Sequence, residues 1–505
     1  PDKSPYIHMP KGVAKLVVNP DHIWAYQVTQ PRVPGGEANE VWIRGRGLGG
    51  SSSINGMIWS RGEPADYDNW EALGCDGWNG KSMTKIFQNI EDHSLGKSAR
   101  RGVGGPVPIT SGHFKYPLAE RMIDAGVEMG LQKTDDLNDV TGNRIGYYSH
   151  NIHKGKRQSG AVTFLKPALS RPNLHIMTHT TAKSVIFADK QAVGVHLCKN
   201  NTTDIEVRCS GEIILAAGTM ESPQILERSG IGDSDRLTAI GITPIAHSPD
   251  VGNCLHEHLS YAIPFRLKEQ DGINRSFFGL GLIKSVLQYY LTHTGAMSTG
   301  PFEIGAFVNV AHPDKRPDLQ LYLGGYTFAL SDDNHPVPLN NIDKKPGISI
   351  YGQLLRLTSK GTVHIQSSDP SSGAEIMPNW LSTKEDQNSA IAAIRYMRKF
   401  MTKSPLAEKI DHELLPGSHL QSDEELLESF RGLSTCGLHG TGTCRMGGDE
   451  NSVVDSKLRV RGVRGLRVAD CSVIPSPVTG NTNAPAMAVG WRAADIILAA
   501  RAKHE

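Results

Sequence analysis

Residues 211–218 read GEIILAAG, and this apolar run constrains the fold more than any other stretch of the chain. A continuous apolar run, as opposed to an alternating one, is typical of a strand buried on both faces of a parallel sheet. The next residues, TMESPQILERSG, predict a helix that ends at Gly230. A strand followed directly by a helix indicates a layered α/β structure, because parallel strands are joined by crossover helices.

Further predicted elements surround this strand along the chain. Strands are expected at 173–178, 183–188 and 192–198. From about 265 to 430 the pattern changes to half-buried strands, DLQLYLG, GISIYGQLLRL and GTVHIQS, followed by a charged helix at 384–401. The C-terminal part returns to strand-like stretches at KLRV and GLRVAD and ends in a helix. This interleaving predicts two discontinuous domains.

Composition limits the partners of such a chain. Fifty-three Lys and Arg residues nearly balance 52 Asp and Glu residues, so a net charge of +1 gives no reason to expect nucleic acid or an anionic membrane. The 505 residues are 38% hydrophobic, enough for a sizeable core, but no apolar run is long enough to span a bilayer. Seven cysteines without a C-x-x-C pair, and the start PDKSPYIHMPKG without an apolar signal region, favour a cytoplasmic location, with secretion left open.

The stretch RGRGLGGSSSIN (44–55) matches the dinucleotide-binding pattern G-x-G-x-x-G. A true pattern of this kind lies between a strand and a helix, and an acidic residue follows about 20 positions on at the end of the next strand. Here Gly56 and Gly62 interrupt any helix, and the next acidic residues lie in a turn-rich stretch. The serines and Asn55 instead offer hydroxyl, amide and backbone N–H groups to a flat polar ligand that lies close to the chain.

Four blocks resemble one family of flavoenzymes, and they occur in that family's order. RGRGLGGSSSINGMIWSRG (44–62) is similar to the first signature of the glucose–methanol–choline (GMC) family, and GTMESPQILERSGIG (218–232) is similar to its second. DVGNCLHEHL (250–259) and a C-terminal block that begins with HGTGTCRMG (439–447) resemble further shared segments. The resemblance therefore covers essentially the whole chain.

This resemblance implies the domain organisation. An FAD-binding, Rossmann-like domain is expected at 1–62, 155–262 and 432–505, and an α+β substrate-binding domain with a mainly antiparallel sheet at 63–154 and 263–431. Family members begin with a strand, a glycine-rich turn, a helix and a second strand that ends in an acid, and this sequence starts after that point. We expect that the sequence omits the segment, because every later block is intact; the alternatives are a second chain that supplies it and a true truncation.

The resemblance assigns the chemistry to His439, the first residue of HGTGTCRMG. In the family this histidine lies over the flavin and removes the hydroxyl proton of an alcohol, a role that suits imidazole because it titrates near neutral pH. Cys436, His439 and Cys444 also suggest zinc, but C-x2-H-x4-C lacks a fourth ligand at a plausible spacing. The pair His256 and His258 lacks a third partner, so no metal is expected.

Asn481 is the second residue that the resemblance assigns to the reaction, at a position where family members carry histidine or asparagine. As a neutral donor it would hold the substrate oxygen without competing for the proton. Alternatively, it is the N-cap of the last helix, which we expect to begin near Pro485. That helix N-terminus would point at the flavin and favour negative charge there.

The remaining cofactor residues are assigned by the resemblance. They are Gly49, Gly50, Ser52, Asn55 and Gly56 in the first signature, Ala182, Ala217 and Gly218 near the central strands, and Asp470, Asn483 and Ala484 in the C-terminal block. Packing alone would explain the three central residues equally well. Some relatives attach the flavin through a histidine just before the signature's asparagine; here that residue is Ile54, so we expect non-covalent FAD. Glu303 is a candidate partner for a cationic substrate, or else an ordinary satisfied carboxylate.

The resulting hypothesis is an FAD-dependent, choline dehydrogenase-like oxidoreductase that acts on CH–OH donors. It would oxidise a primary or secondary alcohol to a carbonyl by proton abstraction and hydride transfer to flavin N5, and pass the electrons to oxygen or a quinone-type acceptor. The expected partner is a small-molecule alcohol, and the expected state is a monomer or homodimer. Alternatives are a flavin-containing hydroxynitrile lyase, a light-driven decarboxylase, whose known members lack the equivalent of His439, and a non-catalytic binding protein.

Overall fold

The computed structural model describes residues 2–33, 36–311, 316–330 and 341–502, and for 29–33 and 36–39 it describes the backbone alone. Its α-helices are Pro5–His8, Val13–Leu16, Pro64–Ala72, Gly80–Ile90, Pro117–Glu128, Lys166–Ala168, Gly218–Arg228, Ser234–Ala239, Gly279–Thr292, Lys384–Met401, Ser404–Ala407, Asp423–Leu433 and Asn483–Arg501. The predicted helix at 384–401 is confirmed with the same bounds. It begins there because the Thr383 side chain accepts a hydrogen bond from the backbone N–H of Asp386.

The largest sheet has eight strands and lies at the centre of the main core. Its spatial order is Ile410–Glu413, Leu259–Leu267, Gly347–Leu354, Leu319–Gly324, Ile304–Val308, Arg144–Tyr147 and Gln132–Lys133, and Thr435–Cys436 also pairs with Leu259–Leu267. Neighbouring strands are antiparallel except for the last pair, Gln132–Lys133 with Arg144–Tyr147. The prediction of a mainly antiparallel sheet is confirmed.

The remaining strands form small sheets. They are the hairpin Ile23–Val33 with Gly36–Gly45, the antiparallel set Thr180–Ala188, Gln191–Lys199 and Thr203–Arg208, the parallel pair Ile213–Leu215 with Leu466–Val468, the set Glu91–His93, Val107–Ser111 and Ser149–His150, and the pairs Ile152–His153 with Lys156–Arg157, Ile231–Gly232 with Ala246–His247, and Thr362–Ile365 with Ala374–Met377. Parallel and antiparallel sheets thus coexist with helices, as the α/β prediction requires.

Three strand predictions need correction. The run 211–218 supplies a three-residue parallel strand, but only Ile213 and Leu215 are buried, while Ile214 is 45% exposed. Residues 173–178 form no strand, because no neighbouring backbone among the described residues pairs with them and a strand requires such a partner. KLRV (457–460) forms isolated bridges only.

The loop 44–55 has the structure that its sequence context predicts, and it is not a strand–turn–helix unit. The hairpin strand ends at Gly45, and a short 3-10 helix, Gly50–Ser53, follows. Gly49 and Gly50 have φ of 86° and 54°, in the left-handed region that favours glycine. The next helix begins only at Pro64. The loop therefore matches the dinucleotide-binding pattern in sequence but not in structure.

Two large apolar clusters divide the interior. The first lies around the eight-stranded sheet and includes Ile350 and Ile394, and the second includes Trp70, Val468 and Ala488. The helices Pro64–Ala72 and Gly80–Ile90 therefore pack with the C-terminal helix, although the predicted boundary places residues 63–154 with the substrate-binding domain. The division into an FAD-binding and a substrate-binding domain stays a prediction.

A buried ion pair fixes the segment that follows the glycine loop. Arg61 Nε and Nη2 each lie 2.6 Å from a carboxylate oxygen of Glu91, and the indole N–H of Trp59 donates to the same carboxylate at 2.7 Å. The Arg61 side chain is 3% exposed and that of Glu91 is 0% exposed. Burial raises the pKa of Glu91, and Arg61 opposes that rise.

Replacing one member of this pair tests its role. Glu91→Leu leaves the buried guanidinium without its hydrogen-bonded carboxylate, so the free energy of unfolding should fall by about 3–5 kcal/mol. The double variant Arg61→Met, Glu91→Leu should lose clearly less, because two apolar side chains replace both charges. Urea unfolding followed by tryptophan fluorescence measures both. A double variant that is less stable than the single one would contradict this assignment.

Candidate active site

The two residues assigned to the chemistry lie in hydrogen-bonding contact. Asn481 Nδ2 lies 3.0 Å from His439 Nε2. His439 follows the strand Thr435–Cys436, whereas Asn481 precedes the helix Asn483–Arg501. The N-cap of that helix is Thr482, and its first residue is Asn483, two residues before the predicted Pro485. The Asn481 side chain is therefore directed to His439 and not used as the helix cap.

The other ring nitrogen of His439 faces the large sheet. His439 Nδ1 lies 3.2 Å from His258 Nδ1 and 3.1 Å from Gln353 Nε2. His258 immediately precedes the strand Leu259–Leu267, and Gln353 lies on Gly347–Leu354. Both ring nitrogens of His439 are thus engaged by fixed side chains.

A buried carboxylate, Glu257, connects these segments. Its Oε1 accepts hydrogen bonds from the backbone N–H of His439 at 2.5 Å and of His258 at 2.9 Å. Its Oε2 lies 3.3 Å from the guanidinium of Arg44, at the end of the hairpin. Burial raises the pKa of Glu257, and Arg44 with the backbone N–H groups opposes the rise.

Burial also sets the charge of the histidines. It lowers the pKa of His439 well below its ordinary value, and His258 and Arg44 lower it further. Burial lowers the pKa of His258 to about 3 and that of His256 to about 4. The imidazole of His439 is therefore neutral at physiological pH, which is the form that accepts a proton.

Aromatic side chains lie beside this pair. The hydroxyl of Tyr322 accepts a hydrogen bond from Asn481 Nδ2 at 3.1 Å. The Tyr322 ring centroid lies 5.7 Å from that of Tyr148 and 5.3 Å from that of Phe302, and the Phe302 centroid lies 5.0 Å from that of Tyr351. We call these four residues the aromatic row. It gives one side of the site an apolar surface.

Asp470, Ala217 and Gly218, expected at the cofactor, are brought together at the start of the helix Gly218–Arg228. Asp470 Oδ2 accepts from the backbone N–H of Gly218 at 2.9 Å and from the hydroxyl of Ser222 at 2.6 Å. Ser222 Oγ in turn accepts from the N–H of Ala217 at 3.2 Å. Gly218 has a φ of 85°, and an added Cβ would meet open space. The helix start is thus open on the side of Gly218.

The same helix start is joined to the His439 segment. The hydroxyl of Thr219 donates to the carbonyl of Gly440 at 2.6 Å, and the hydroxyl of Thr443 donates to the carbonyl of Thr219 at 2.7 Å. Both hydrogen bonds are buried, so they hold the segment after His439 against the N-terminus of this helix.

The side chains of Ser52 and Asn55 in the first signature already form hydrogen bonds within the protein. Ser52 Oγ donates to the carbonyl of Gly49 at 2.5 Å and accepts from the N–H of Gly160 at 2.9 Å. Asn55 Oδ1 accepts from Arg157 Nη1 at 2.7 Å. Ser52 therefore offers no uncommitted hydroxyl hydrogen to a ligand, which narrows its predicted role to shaping the loop.

Gly50 and Gly56 differ in their surroundings. A Cβ at Gly50 would meet open space, whereas one at Gly56 would lie 3.3 Å from the ring of Pro301. The Gly56 backbone is thus packed against the residue next to Phe302 of the aromatic row.

The N-terminus of the last helix carries Asn483 and Ala484. Thr482 makes no side-chain capping bond, and within the described residues the buried Asn483 Nδ2 has no hydrogen-bond partner. Ala484 is fully buried. Ala182 lies elsewhere, in the strand Thr180–Ala188, where it pairs with Leu197. No hydrogen bond among the described residues joins Ala182 to the other predicted cofactor residues, although Ala182 packs against the apolar cluster that contains Ala484.

Glu303, the candidate partner for a cationic substrate, lies buried in an ion pair. Its carboxylate is 2% exposed and lies 3.0 Å from Lys11 Nζ, and the hydroxyl of Tyr116 donates to it at 3.4 Å. Lys11 Nζ also donates to the carbonyl of Gly300 at 2.5 Å. The Glu303 charge is thus already paired within the chain.

Several residues around His439 were not predicted from the sequence. His258 was considered only as a metal ligand, and Glu257, Gln320 and Gln353 were not considered. The sequence offers one indication of them: a glutamine within an otherwise apolar predicted strand, as in DLQLYLG and GISIYGQLLRL. In the structure both glutamines are buried. A polar side chain at such a position requires a partner, and here the partners lead to His439.

Comparisons with known proteins identify the family of this chain. The family model described as GMC oxidoreductase matches residues 16–260 and 358–490. An alcohol dehydrogenase [acceptor] of Pseudomonas putida is 34% identical, over 98% of this chain and 89% of the relative. The mitochondrial choline dehydrogenase of Homo sapiens is 34% identical, over 97% of this chain and 82% of the relative.

Solved structures give the same result for the fold. Pyridoxine 4-oxidase from Mesorbium loti superposes with a TM-score of 0.86 at 27% identity, over 98% of this chain and 91% of that chain. Formate oxidase superposes with a TM-score of 0.90 at 24% identity, over 99% and 92% of the chains, a likeness of fold alone. The family models and the relatives define an oxidoreductase. The chain belongs to the GMC oxidoreductase family, which confirms the family resemblance and the fold class.

Among the described residues, no helix is both long enough and apolar enough to cross a bilayer.

The lowered histidine pKa values predict acid sensitivity. The unfolded chain binds a proton at each histidine below about pH 6.5, whereas folded His256 stays neutral to about pH 4. Stability from this group is therefore present above pH 6.5 and is lost as pH falls. Relative to His256→Asn, the wild type should lose about 3 kcal/mol of unfolding free energy between pH 7 and pH 4. Parallel urea midpoints for the two proteins would contradict the assigned burial.

Proposed function

We propose that this protein oxidises an alcohol to a carbonyl with bound FAD. The observation that carries the proposal is the 3.0 Å contact between His439 Nε2 and Asn481 Nδ2. A hydroxyl oxygen that approaches both atoms would replace this direct contact and would meet a base at His439 and a hydrogen-bond donor at Asn481. Two relatives named above, an alcohol dehydrogenase and a choline dehydrogenase, support the same reaction class.

The residues present fit a flavin dinucleotide. The last helix presents free N–H groups and the unpartnered Asn483 Nδ2 at its N-terminus, where the helix dipole favours negative charge. Gly218 and Gly50 leave open space where a side chain would otherwise project. We assign the flavin to these groups together with Asp470 and Asn55. When bound, FAD supplies the two-electron acceptor that no side chain provides.

Attachment of the cofactor is proposed to be non-covalent. The residue before Asn55 is Ile54, which is 6% exposed and packs against Ile7 and Leu16. An aliphatic side chain has no nucleophile, so it forms no bond to a flavin. Precipitation with acid should therefore release the yellow chromophore into the supernatant.

Different residues of the chain have different roles toward the substrate. Neutral His439 takes the hydroxyl proton at Nε2, and Asn481 Nδ2 donates to the substrate oxygen. Glu257 holds the backbone of His439 in place through the 2.5 Å bond to its N–H. The aromatic row covers one side of the site and excludes water, which strengthens these polar contacts. The proposed cofactor domain (1–62, 155–262 and 432–505) supplies His439 and Asn481, and the proposed substrate domain supplies the row.

Removing the base tests these roles. His439→Ala should retain the flavin but slow its anaerobic bleaching by an alcohol about 10²–10⁴-fold, because the hydroxyl proton loses its acceptor. His175→Ala, an exposed histidine, is the matched control and should behave as the wild type. Stopped-flow absorbance measures both. Equal bleaching rates for His439→Ala and the control would remove His439 from the reaction.

We further propose that the substrate is an uncharged alcohol with an apolar or aromatic body. The aromatic row offers stacking surface beside Asn481 through Tyr322. Glu303, next to Phe302 of the row, is neutralised by Lys11 at 3.0 Å. A cationic head group would therefore find aromatic faces but no unpaired charge at Glu303.

A pair of isosteric alcohols separates charge from shape. Choline and 3,3-dimethylbutan-1-ol differ in that a carbon replaces the quaternary nitrogen. The neutral alcohol should bleach the flavin about tenfold faster or more at equal concentration, because desolvating the cation without an unpaired carboxylate at Glu303 costs at least about 1.4 kcal/mol more than cation–π contact with the aromatic row returns. Faster bleaching by choline would contradict the substrate proposal while leaving alcohol oxidation intact.

A further inference from the structure

We propose that His258 and Gln320 are positioning residues that hold His439 in one tautomer, with its proton on Nδ1 and its lone pair on Nε2 toward Asn481. The consequence for rate rests on the proposed function, whereas the tautomer itself is a property of this chain. The inference follows from the directions of five connected hydrogen bonds.

The series of hydrogen bonds begins at a group that can only accept. The backbone carbonyl of Leu321 only accepts, and the hydroxyl of Tyr148 lies 2.8 Å from it. The single hydroxyl hydrogen of Tyr148 is therefore committed to that carbonyl. Any other partner of the Tyr148 oxygen has to donate to it.

Gln320 is that partner, and its orientation follows. It is fully buried, and its Nε2 lies 3.0 Å from the Tyr148 hydroxyl. Because this atom has to be the donor, the amide nitrogen and not the amide oxygen points at Tyr148. The same nitrogen lies 3.0 Å from the side-chain amide of Asn481, so the Asn481 atom that faces it has to be the oxygen.

This orients the Asn481 amide toward the base. With its oxygen bonded to Gln320, its nitrogen faces His439 Nε2 at 3.0 Å. An amide nitrogen only donates, so His439 Nε2 has to accept and carries no proton. In neutral His439 the proton is then on Nδ1.

The proton on Nδ1 requires an acceptor, and within the part of the chain that the structure describes two groups lie within reach. Gln353 Nε2 is turned toward the oxygen of Gln320 at 3.4 Å, so it is a donor and is excluded as the acceptor. His258 Nδ1, at 3.2 Å, remains. It accepts from His439 Nδ1, and the proton of neutral His258 is then on Nε2.

This arrangement serves proton abstraction. The lone pair of His439 points to the side where Asn481 binds an oxygen, and the Nδ1–H bond to His258 strengthens when His439 becomes charged. His258 stays neutral, because burial holds its pKa at about 3. The carbonyl of Leu355 acts on the His258 imidazole as a further acceptor. Among the described residues His258 Nε2 has no partner at ordinary hydrogen-bonding geometry, so its contact with the Leu355 carbonyl is weak.

The first test reverses the direction of the hydrogen bonds that lead from Gln320 through Asn481 to His439. Gln320→Glu replaces the donating amide by an accepting carboxylate, so the Asn481 amide should turn over and present its oxygen to His439. The proton of His439 should then move to Nε2. Nitrogen-15 NMR of the flavin-loaded protein labelled at histidine distinguishes the two tautomers directly, and the His439 signals are those lost in His439→Gln. Gln224→Glu, another buried glutamine of the chain, is the matched control and should leave the signals unchanged.

The second test acts on the other nitrogen. His258→Asn retains an acceptor near the position of Nδ1 and should keep the tautomer, whereas His258→Leu removes the acceptor. His258→Leu should slow alcohol-dependent bleaching about tenfold or more and shift its pH dependence, with rescue in His258→Asn. A merely structural role would affect both variants alike.

The outcomes separate this inference from the proposed function. A wild-type His439 with its proton on Nε2, or an unchanged tautomer in Gln320→Glu, overturns the inference whatever the activity. The expected NMR pattern without bleaching by any alcohol overturns the proposed function and leaves the inference standing.

Discussion

The structure of the site depends on one buried carboxylate, Glu257. Its two oxygens receive the backbone N–H groups of His258 and His439 and the guanidinium of Arg44, three groups from three separate parts of the chain. Hydrogen bonds to an ionised acceptor are stronger than neutral ones, and they are stronger still where water is excluded. Together with the pairing of Thr435–Cys436 with Leu259–Leu267, this carboxylate holds the segment of His439 against the strand that begins at Leu259.

The same burial that makes Glu257 effective also sets the chemistry of the base. Removing water from His439 disfavours its charged form, so the imidazole stays neutral and ready to accept a proton. The cost is a set of buried polar groups that all require partners. Gln320, Gln353 and Tyr148 meet that requirement for one another, and in doing so they fix the direction of each hydrogen bond around His439.

The sequence predicted those parts of the site that lie within contiguous motifs. His439 and Asn481 stand in blocks with a family resemblance, and the helix Lys384–Met401 shows its period and its caps in the local sequence. Contacts made by strand pairing could not be predicted from the sequence. Gln320 and Gln353, for example, come together only through the register of Leu319–Gly324 with Gly347–Leu354. The pairing of Glu303 with Lys11 was equally hidden, since nothing local links residues so far apart. The run 173–178 failed as a strand for the same reason: its strand-like composition supplies no partner.

Anaerobic reduction by a deuterated alcohol tests the central claim, that His439 and Asn481 activate an alcohol for transfer of its carbon-bound hydrogen. The wild-type protein would be mixed with benzyl alcohol or with its α,α-dideuterated form, and the loss of flavin absorbance would be followed. Both alcohols should bleach the flavin, the deuterated one clearly more slowly, because the carbon–hydrogen bond breaks in the step that His439 assists. Equal rates with both alcohols, or a yellow protein that no alcohol bleaches, would contradict the central claim.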